Sequence, residues 1–349
     1  MRLAAMVTLA ATVLAACARI GSGGFNGNVA DLSAAGPTAA EVQALFGDSN
    51  WWAGPPTFQV RPLDSGVMPD TELFGLTRTF VHVGSAEAFI VIYTAYNTVS
   101  AATTVMTNLK NQYGAGAPPQ KVGDDTLYLN GSAGGAAPYV ARTYVRLGSI
   151  MVEIAWLNKD GPPSLQQRVK VAKKVIDGLQ PVASGKVHGK LQAVEQSELP
   201  PPGLDITNLG SARLAVESLP VMLSVAMPEA VLSLLQTDGV KNFAYGDYAL
   251  NNDTHMEVQT AYLTFPTTAD ALEWATNFAP NPPDPSGIAS GYIATGGTPA
   301  GGEYHYLFTA GTVGGLLICK PTIAGEAASR ECEMPMERTA LGWKLALRG

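Results

Sequence analysis

One order of elements is written twice along this chain, and that repetition constrains the fold more than any other feature. Ala88–Ala95 (AFIVIYTA) reads as a strand and Val99–Tyr113 as a helix, followed by Thr126–Leu129 and a hairpin of Tyr139–Arg146 with Ser149–Leu157. The order returns as Met256–Phe265, Ala269–Phe278, Ile288–Ala294 and a hairpin of Tyr304–Thr309 with Gly314–Cys319. Even the glycine-rich approach to each hairpin recurs, as GSAGGAAP at 131–138 and GGTPAGG at 296–302. A duplication is the simplest account, and chance agreement in a common order is the alternative. Strands joined by short glycine turns are antiparallel, because a parallel pair needs a longer crossover. The expected architecture is therefore α+β: two similar domains, each an antiparallel sheet with helices packed on one face.

The helices carry start and stop signals. Ser164 with Gln167 forms a capping box after Pro162-Pro163, and Leu165, Val169, Ala172, Ile176 and Leu179 share one face, with Gly178 expected to end the helix. Thr267 with Asp270 gives a second, weaker cap. If the two halves are equivalent, Ala102, Val105, Leu109 and Tyr113 should be buried as Leu272, Ala275 and Phe278 are.

Ahead of the repeats, Arg2 precedes an apolar run from Leu3 to Ala16, shorter than the roughly 20 residues a bilayer crossing needs, so residues 1–16 read as a signal peptide. The run ends in Leu14-Ala15-Ala16-Cys17, which resembles the lipobox of bacterial lipoproteins. That resemblance implies cleavage before Cys17, diacylation of its thiol, and a chain held by lipid on the extracytoplasmic face of the cell membrane. Ala18 stands where a resemblance to an inner-membrane retention signal would need aspartate. Residues 17–36, small, polar and glycine-rich after the cysteine, form a tether. A first domain is expected over 37–180, a linker without hydrophobic period over 181–204, ending in three prolines, and a second domain over 205–349.

With 46% hydrophobic and 15% charged residues the chain is globular, and 349 residues exceed one ordinary core. Charge is divided unevenly. Residues 18–190 hold 14 lysines and arginines against 12 acids, while residues 191–349 hold 7 against 17. So acidic a second half is a poor partner for nucleic acid, whereas Arg168, Lys170, Lys173 and Lys174 lie along one helix that either faces the membrane or is a solvated surface. Beyond Cys17 the remaining cysteines are Cys319 and Cys332, which an oxidising compartment would join. A redox pair is usually spaced Cys-x-x-Cys, and a zinc site needs more ligands than these two supply.

Chemistry is sparsely signalled, and no catalytic residue or cofactor is assigned. No serine-hydrolase elbow, Walker loop, dinucleotide fingerprint or zinc-protease motif occurs; Asn130-Gly131-Ser132-Ala133-Gly134 is the nearest approach to the first. His82 and His188 have no ligand-spaced neighbour in sequence. His255-x-Glu257 and Glu303-x-His305 would form an imidazole and carboxylate metal site if their strands were neighbours, and otherwise read as exposed polar residues. Carboxylates such as Glu153 and Asp247 could pair as a glycosidase requires. Trp51 and Trp52 are the candidate binding surface, with core packing of at least one as the alternative. The turn-rich segment 279–302 is a second candidate.

The strand, the helix led by small residues (VSAATTVMTNL; TTADALEWATNF), the hairpin and the closing helix are together similar to the sensor-like domains of actinobacterial lipoproteins and of some receptor-kinase ectodomains. The second disulfide typical of some of those domains is missing here. The resemblance implies an extracytoplasmic setting and assigns no activity. The expected function is a membrane-anchored, non-enzymatic binding or sensing module that engages an envelope protein or small molecule through loops or the cleft between domains. A structural or assembly lipoprotein and an envelope hydrolase or metal-dependent enzyme are the competing readings.

Overall fold

The structure, a computed structural model, describes residues 24–58, 72–132, 138–225, 227–251, 253–278, 292–294, 302–321 and 328–348. Cys17, the signal segment and most of the 279–302 segment lie outside them.

The first half runs α1 (Val29–Ser33), α2 (Ala39–Phe46), β1 (Trp51–Ala53), β2 (Glu72–His82), β3 (Ala88–Tyr96), α3 (Val99–Gln112), β4 (Asp125–Ser132), β5 (Tyr139–Leu147), β6 (Ile150–Asn158) and α4 (Leu165–Ala183). The second runs β7 (Ile206–Ala215), α5 (Leu219–Met222), α6 (Pro228–Thr237), β8 (Asn242–Leu250), β9 (Asp253–Thr264), α7 (Thr268–Phe278), β10 (Tyr292–Ala294), β11 (Glu303–Ala310), β12 (Val313–Pro321) and α8 (Ala328–Ala346). Two six-stranded sheets result, ordered β1-β2-β3-β6-β5-β4 and β7-β8-β9-β12-β11-β10, with every paired neighbour antiparallel. Strand for strand the two orders are the same.

The helices also correspond, in a way that strand chirality fixes. The Tyr96 amide donates to Ser149 beside β6, and the Phe265 amide donates to Thr312 beside β12. For an L-residue the direction of its N–H within the sheet and the direction of the strand determine the face its side chain takes. Tyr96 packs with Ala102 and Met106 of α3, and Phe265 meets Trp274 of α7 with ring centroids 5.6 Å apart, so α3 and α7 cover equivalent faces. The closing helices take the opposite faces. Val169, Ala172, Val175 and Ile176 of α4 pack among Phe89, Val91 and Val152, and Met336, Ala340 and Trp343 of α8 pack among Val258, Phe308 and Leu317. The α+β organisation in two antiparallel sheets is as the sequence predicts; the helices, expected on one face, divide between both.

Several local expectations hold and several do not. The Ser164–Gln167 box is present with both reciprocal bonds, and Thr267 and Asp270 cap α7 the same way. Gly178 does not end α4, which continues through Pro181 to Ala183, three residues into the expected linker. Its hydrogen side chain is needed for contact, since a Cβ there would stand 2.6 Å from the Ala35 carbonyl oxygen. On α3 and α7 the buried residues are Ala102, Met106, Ala271, Trp274 and Ala275, while Tyr113 and Leu272 are exposed. The stripe was displaced because the larger Met106 and Trp274 turn to the sheet.

Each closing helix is fastened to its sheet by a different device. Cys319 of β12 and Cys332 of α8 form a disulfide. In the first half Arg168 of α4, buried, donates to the Thr143 and Asn130 side chains and to the carbonyls of Leu129 and Arg142, with its guanidinium 5.1 Å from the Tyr128 ring centre. That removes Arg168 from any membrane-facing stripe, and Lys174 pairs with Glu41 of α2.

Candidate functional site

The outer strands of the two sheets, β1 and β7, bring the halves together. After β1 the chain runs beside β2 through the Thr57–Thr77 bridge, and Phe58 then meets the second sheet. Its amide donates to Asp247 Oδ2 on β8, its ring lies 6.4 Å from that of Tyr245, and Thr57 Oγ1 donates to Glu257 on β9. Gly54 permits the approach, since a Cβ there would stand 3.1 Å from Val221 Cγ1. The segment at 181–204 is laid against both halves: His188 bonds Asp31 at 3.0 Å, Gln192 bridges Arg213, Arg213 pairs with Glu198, and Leu199 is buried. One apolar cluster runs through both halves at this junction.

Beside the packed contact the junction stays open. A cleft of about 520 Å³ lies between β1 and α2 on one side and the end of β7 and α6 on the other. Its walls are mainly apolar, from Trp52, Pro56, Leu191, Leu214 and Leu232. That volume falls in the range of small-molecule sites, roughly 300–1,000 Å³. Trp51 and Trp52 part company here. Trp51 is core, 3% exposed and stacked on Phe46 at 4.8 Å, whereas Trp52 is half-buried in the cleft wall with an enclosed Nε1 that has no hydrogen-bond partner among the described residues.

Arg78 of β2 also lines the cleft. It sits between Leu76 and Phe80 on the core-facing side of the strand, opposite Val91. Its Nε is enclosed without a partner, and among the described residues the guanidinium forms neither ion pair nor hydrogen bond. Burial pulls its pKa down, and the nearby Tyr93 hydroxyl pulls the other way. An arginine nevertheless stays protonated, so the cleft wall holds an uncompensated charge. Sequence reasoning missed Arg78, because an isolated arginine in a β-branched strand carries no motif.

A smaller recess of about 330 Å³ lies on the far side of Trp51, between Phe46, Trp156 and Lys170. There His82 bonds Asp48 at 2.8 Å, a partner that the sequence does not bring near it.

The proposed imidazole and carboxylate site does not assemble. β9 and β11 are separated by β12, and Lys320 of β12 stands opposite Glu257, their charged atoms 3.5 Å apart. Burial opposes the Lys320 charge, but Glu257, Glu303 and Asp247 hold its pKa above the ordinary value. His305 bonds Glu303 at 3.0 Å, and Ser224 donates to the same carboxylate oxygen. His255 is half-exposed, 3.7 Å from Asp253. Among the described residues no three histidine, cysteine, aspartate or glutamate side chains converge on a metal position. Glu153 and Asp247 do not pair: Glu153 meets Arg142 in the first sheet. The carboxylate beside Asp247 is Glu257, and burial, reinforced by that neighbouring charge, pushes the Asp247 pKa well up.

Among the described residues no helix is long and apolar enough to cross a membrane. No protein-family model matches the sequence, and no curated protein matches it either. Among solved structures, the crystal structure of the extracellular domain of PknH from Mycobacterium tuberculosis is similar to 42% of this chain over 92% of its own length, at 14% identity and a TM-score of 0.33. A likeness of that size bears on neither ligand nor activity.

Proposed function

We propose that this protein is a lipid-anchored extracytoplasmic module that binds a small envelope molecule in the cleft between its two sheets, without catalysing a reaction. The observation that carries this is the cleft itself: a volume suited to a small ligand, apolar walls, and two enclosed polar groups, Trp52 Nε1 and Arg78 Nε, that the fold leaves unsatisfied. Buried donors without partners cost stability, and the part of the Arg78 guanidinium that opens to the cleft is within reach of a bound ligand's acceptor. A purely structural lipoprotein has no use for such a cavity. The anchor rests on the lipobox resemblance at Leu14–Cys17, with the glycine-rich stretch after it as tether.

The enzyme reading has one observation in its favour, the buried group of Asp247, Glu257, Glu303, His305 and Lys320, in which the pKa values of Asp247 and Lys320 are raised and that of Glu303 is lowered. None of the five lines either described recess.

Trp52 supplies the test, because the other four tryptophans are buried. The difference in emission between wild type and Trp52→Phe isolates the cleft. Small-molecule extract of the native envelope should shift that difference spectrum to the blue, and Ala215→Phe, which narrows the cleft from the β7 side, should abolish the shift. An unchanged spectrum, or an equal shift in Ala215→Phe, would remove the cleft as the binding site.

A further inference from the structure

The geometry points to an amphipathic organic anion as the occupant of the cleft, its oxyanion headgroup bound by Arg78 and its apolar body lying along Trp52, Pro56 and Leu214. This rests on the cleft being the binding site and names the chemistry that it selects.

Three observations carry it. First, the charge is uncompensated. Every other arginine that the fold encloses in the first half has been given partners: Arg168 has two side chains and two carbonyls, and Arg146 has Asp124 and the Gly148 carbonyl. Arg78 has none among the described residues. Arg78 is half-buried, with Nε enclosed and the rest of the guanidinium open to the cleft, and that planar group fits the two oxygens of a carboxylate, sulfonate or phosphate ester.

Second, among the described residues the wall offers no competing acid at the same point. Glu217, the carboxylate in the lining, is exposed on the opposite bank and makes no ion pair with Arg78. Third, the rest of the lining favours hydrocarbon: an indole face, a proline and three leucines surround the space. A ligand that is apolar throughout would leave the guanidinium unpaired, and a small inorganic anion would leave the walls bare. The volume takes a single-chain or aromatic anion, which is a free small molecule and not a membrane phospholipid.

The test uses two fluorescent probes with one ring system, 8-anilinonaphthalene-1-sulfonate and the neutral N-phenyl-1-naphthylamine, titrated against the chain from Ala18 onward, which lacks the apolar leader and the lipidation site, so that no detergent competes. Wild-type cleft should bind the sulfonate at least tenfold more tightly than the neutral amine. Arg78→Met should erase that preference while leaving amine affinity unchanged, Arg78→Lys should keep part of it, and Trp52→Ala should weaken both probes. Because methionine replaces an unpaired charge, the Tm of Arg78→Met should be equal to or above wild type.

Sulfonate bound as tightly by Arg78→Met as by wild type would overturn the proposal while leaving the cleft in place. A Tm well below wild type would overturn it too, by placing Arg78 in the service of the fold. If wild type binds neither probe, or Trp52→Ala changes neither, the cleft reading itself fails and the anion falls with it. Anionic phosphatidylglycerol vesicles should not compete with the sulfonate; competition would assign the site to a lipid headgroup and reject the free anion.

Discussion

The backbone amide of Phe58, beside the first sheet, donates to the carboxylate of Asp247 in the second at 2.5 Å, across 189 residues of chain. Asp247 is fully buried, its other oxygen has no hydrogen-bond partner among the described residues, and burial with the Glu257 charge favours its protonated form. Because its folded pKa lies above the 3.8 of the free side chain, its contribution to stability is present below that value and lost as pH rises through the folded pKa. Asp247→Asn keeps an acceptor for Phe58 and removes the charge. Chemical denaturation should find it at least as stable as wild type near neutral pH, with the advantage gone by about pH 4. Asp247→Ala should cost about 1–3 kcal/mol by stranding the Phe58 amide. Asp247→Asn less stable than wild type at neutral pH would contradict the assignment.

Glu303 titrates with the opposite sign. Burial raises its pKa, but the bonds from His305 and Ser224 and the Lys320 charge bring it below 4.5, so its contribution is present above that value and lost as pH falls through the folded pKa. Glu303→Gln should therefore destabilise the protein near neutral pH, with the difference from wild type narrowing in acid. A difference that grows on acidification would show the sign to be wrong.

The two closing helices should respond to different treatments. Reducing the Cys319–Cys332 bond should lower stability by about 2–4 kcal/mol, the usual effect of a disulfide, and release amide exchange protection on α8 while α4 stays protected. Arg168→Ala should do the converse. It leaves the Leu129 and Arg142 carbonyls and the Thr143 hydroxyl without their donor, at a cost of about 2 kcal/mol or more. Hydrogen exchange on both variants reads the two effects separately.

For the anchor, intact-mass analysis of protein from its native membrane should find a mature chain beginning at an acylated Cys17, and Cys17→Ser should release the chain from the membrane fraction or block its processing. A correctly cleaved, unacylated chain that stays tightly bound would contradict lipidation.

The strands and helices from Ala88 to Ala183 and from Met256 to Pro321 were largely legible because hydrophobic alternation, Ser164–Gln167 and Thr267–Asp270 are local signals. The outer strands β1, β2, β7 and β8 were not read. The ladders of β2 and β7 carry register shifts, between Glu72 and Phe74 and between Asn208 and Gly210, which interrupt the alternation. His82 with Asp48 and Asp247 with Glu257 were invisible for a different reason, since tertiary folding alone brings them together. Of the candidate site, Trp52 could be found from sequence as one of two adjacent indoles beside a proline-rich turn. Arg78 could not, because its significance lies in the partners that it lacks.

Native mass spectrometry of the protein isolated gently from its own envelope, without added ligand, tests the central claim most directly. Wild type should carry a small organic adduct that is absent or strongly reduced in Ala215→Phe, whose added ring occupies part of the cleft. Wild type free of any adduct, or an adduct held equally by Ala215→Phe, would contradict a ligand site between the sheets.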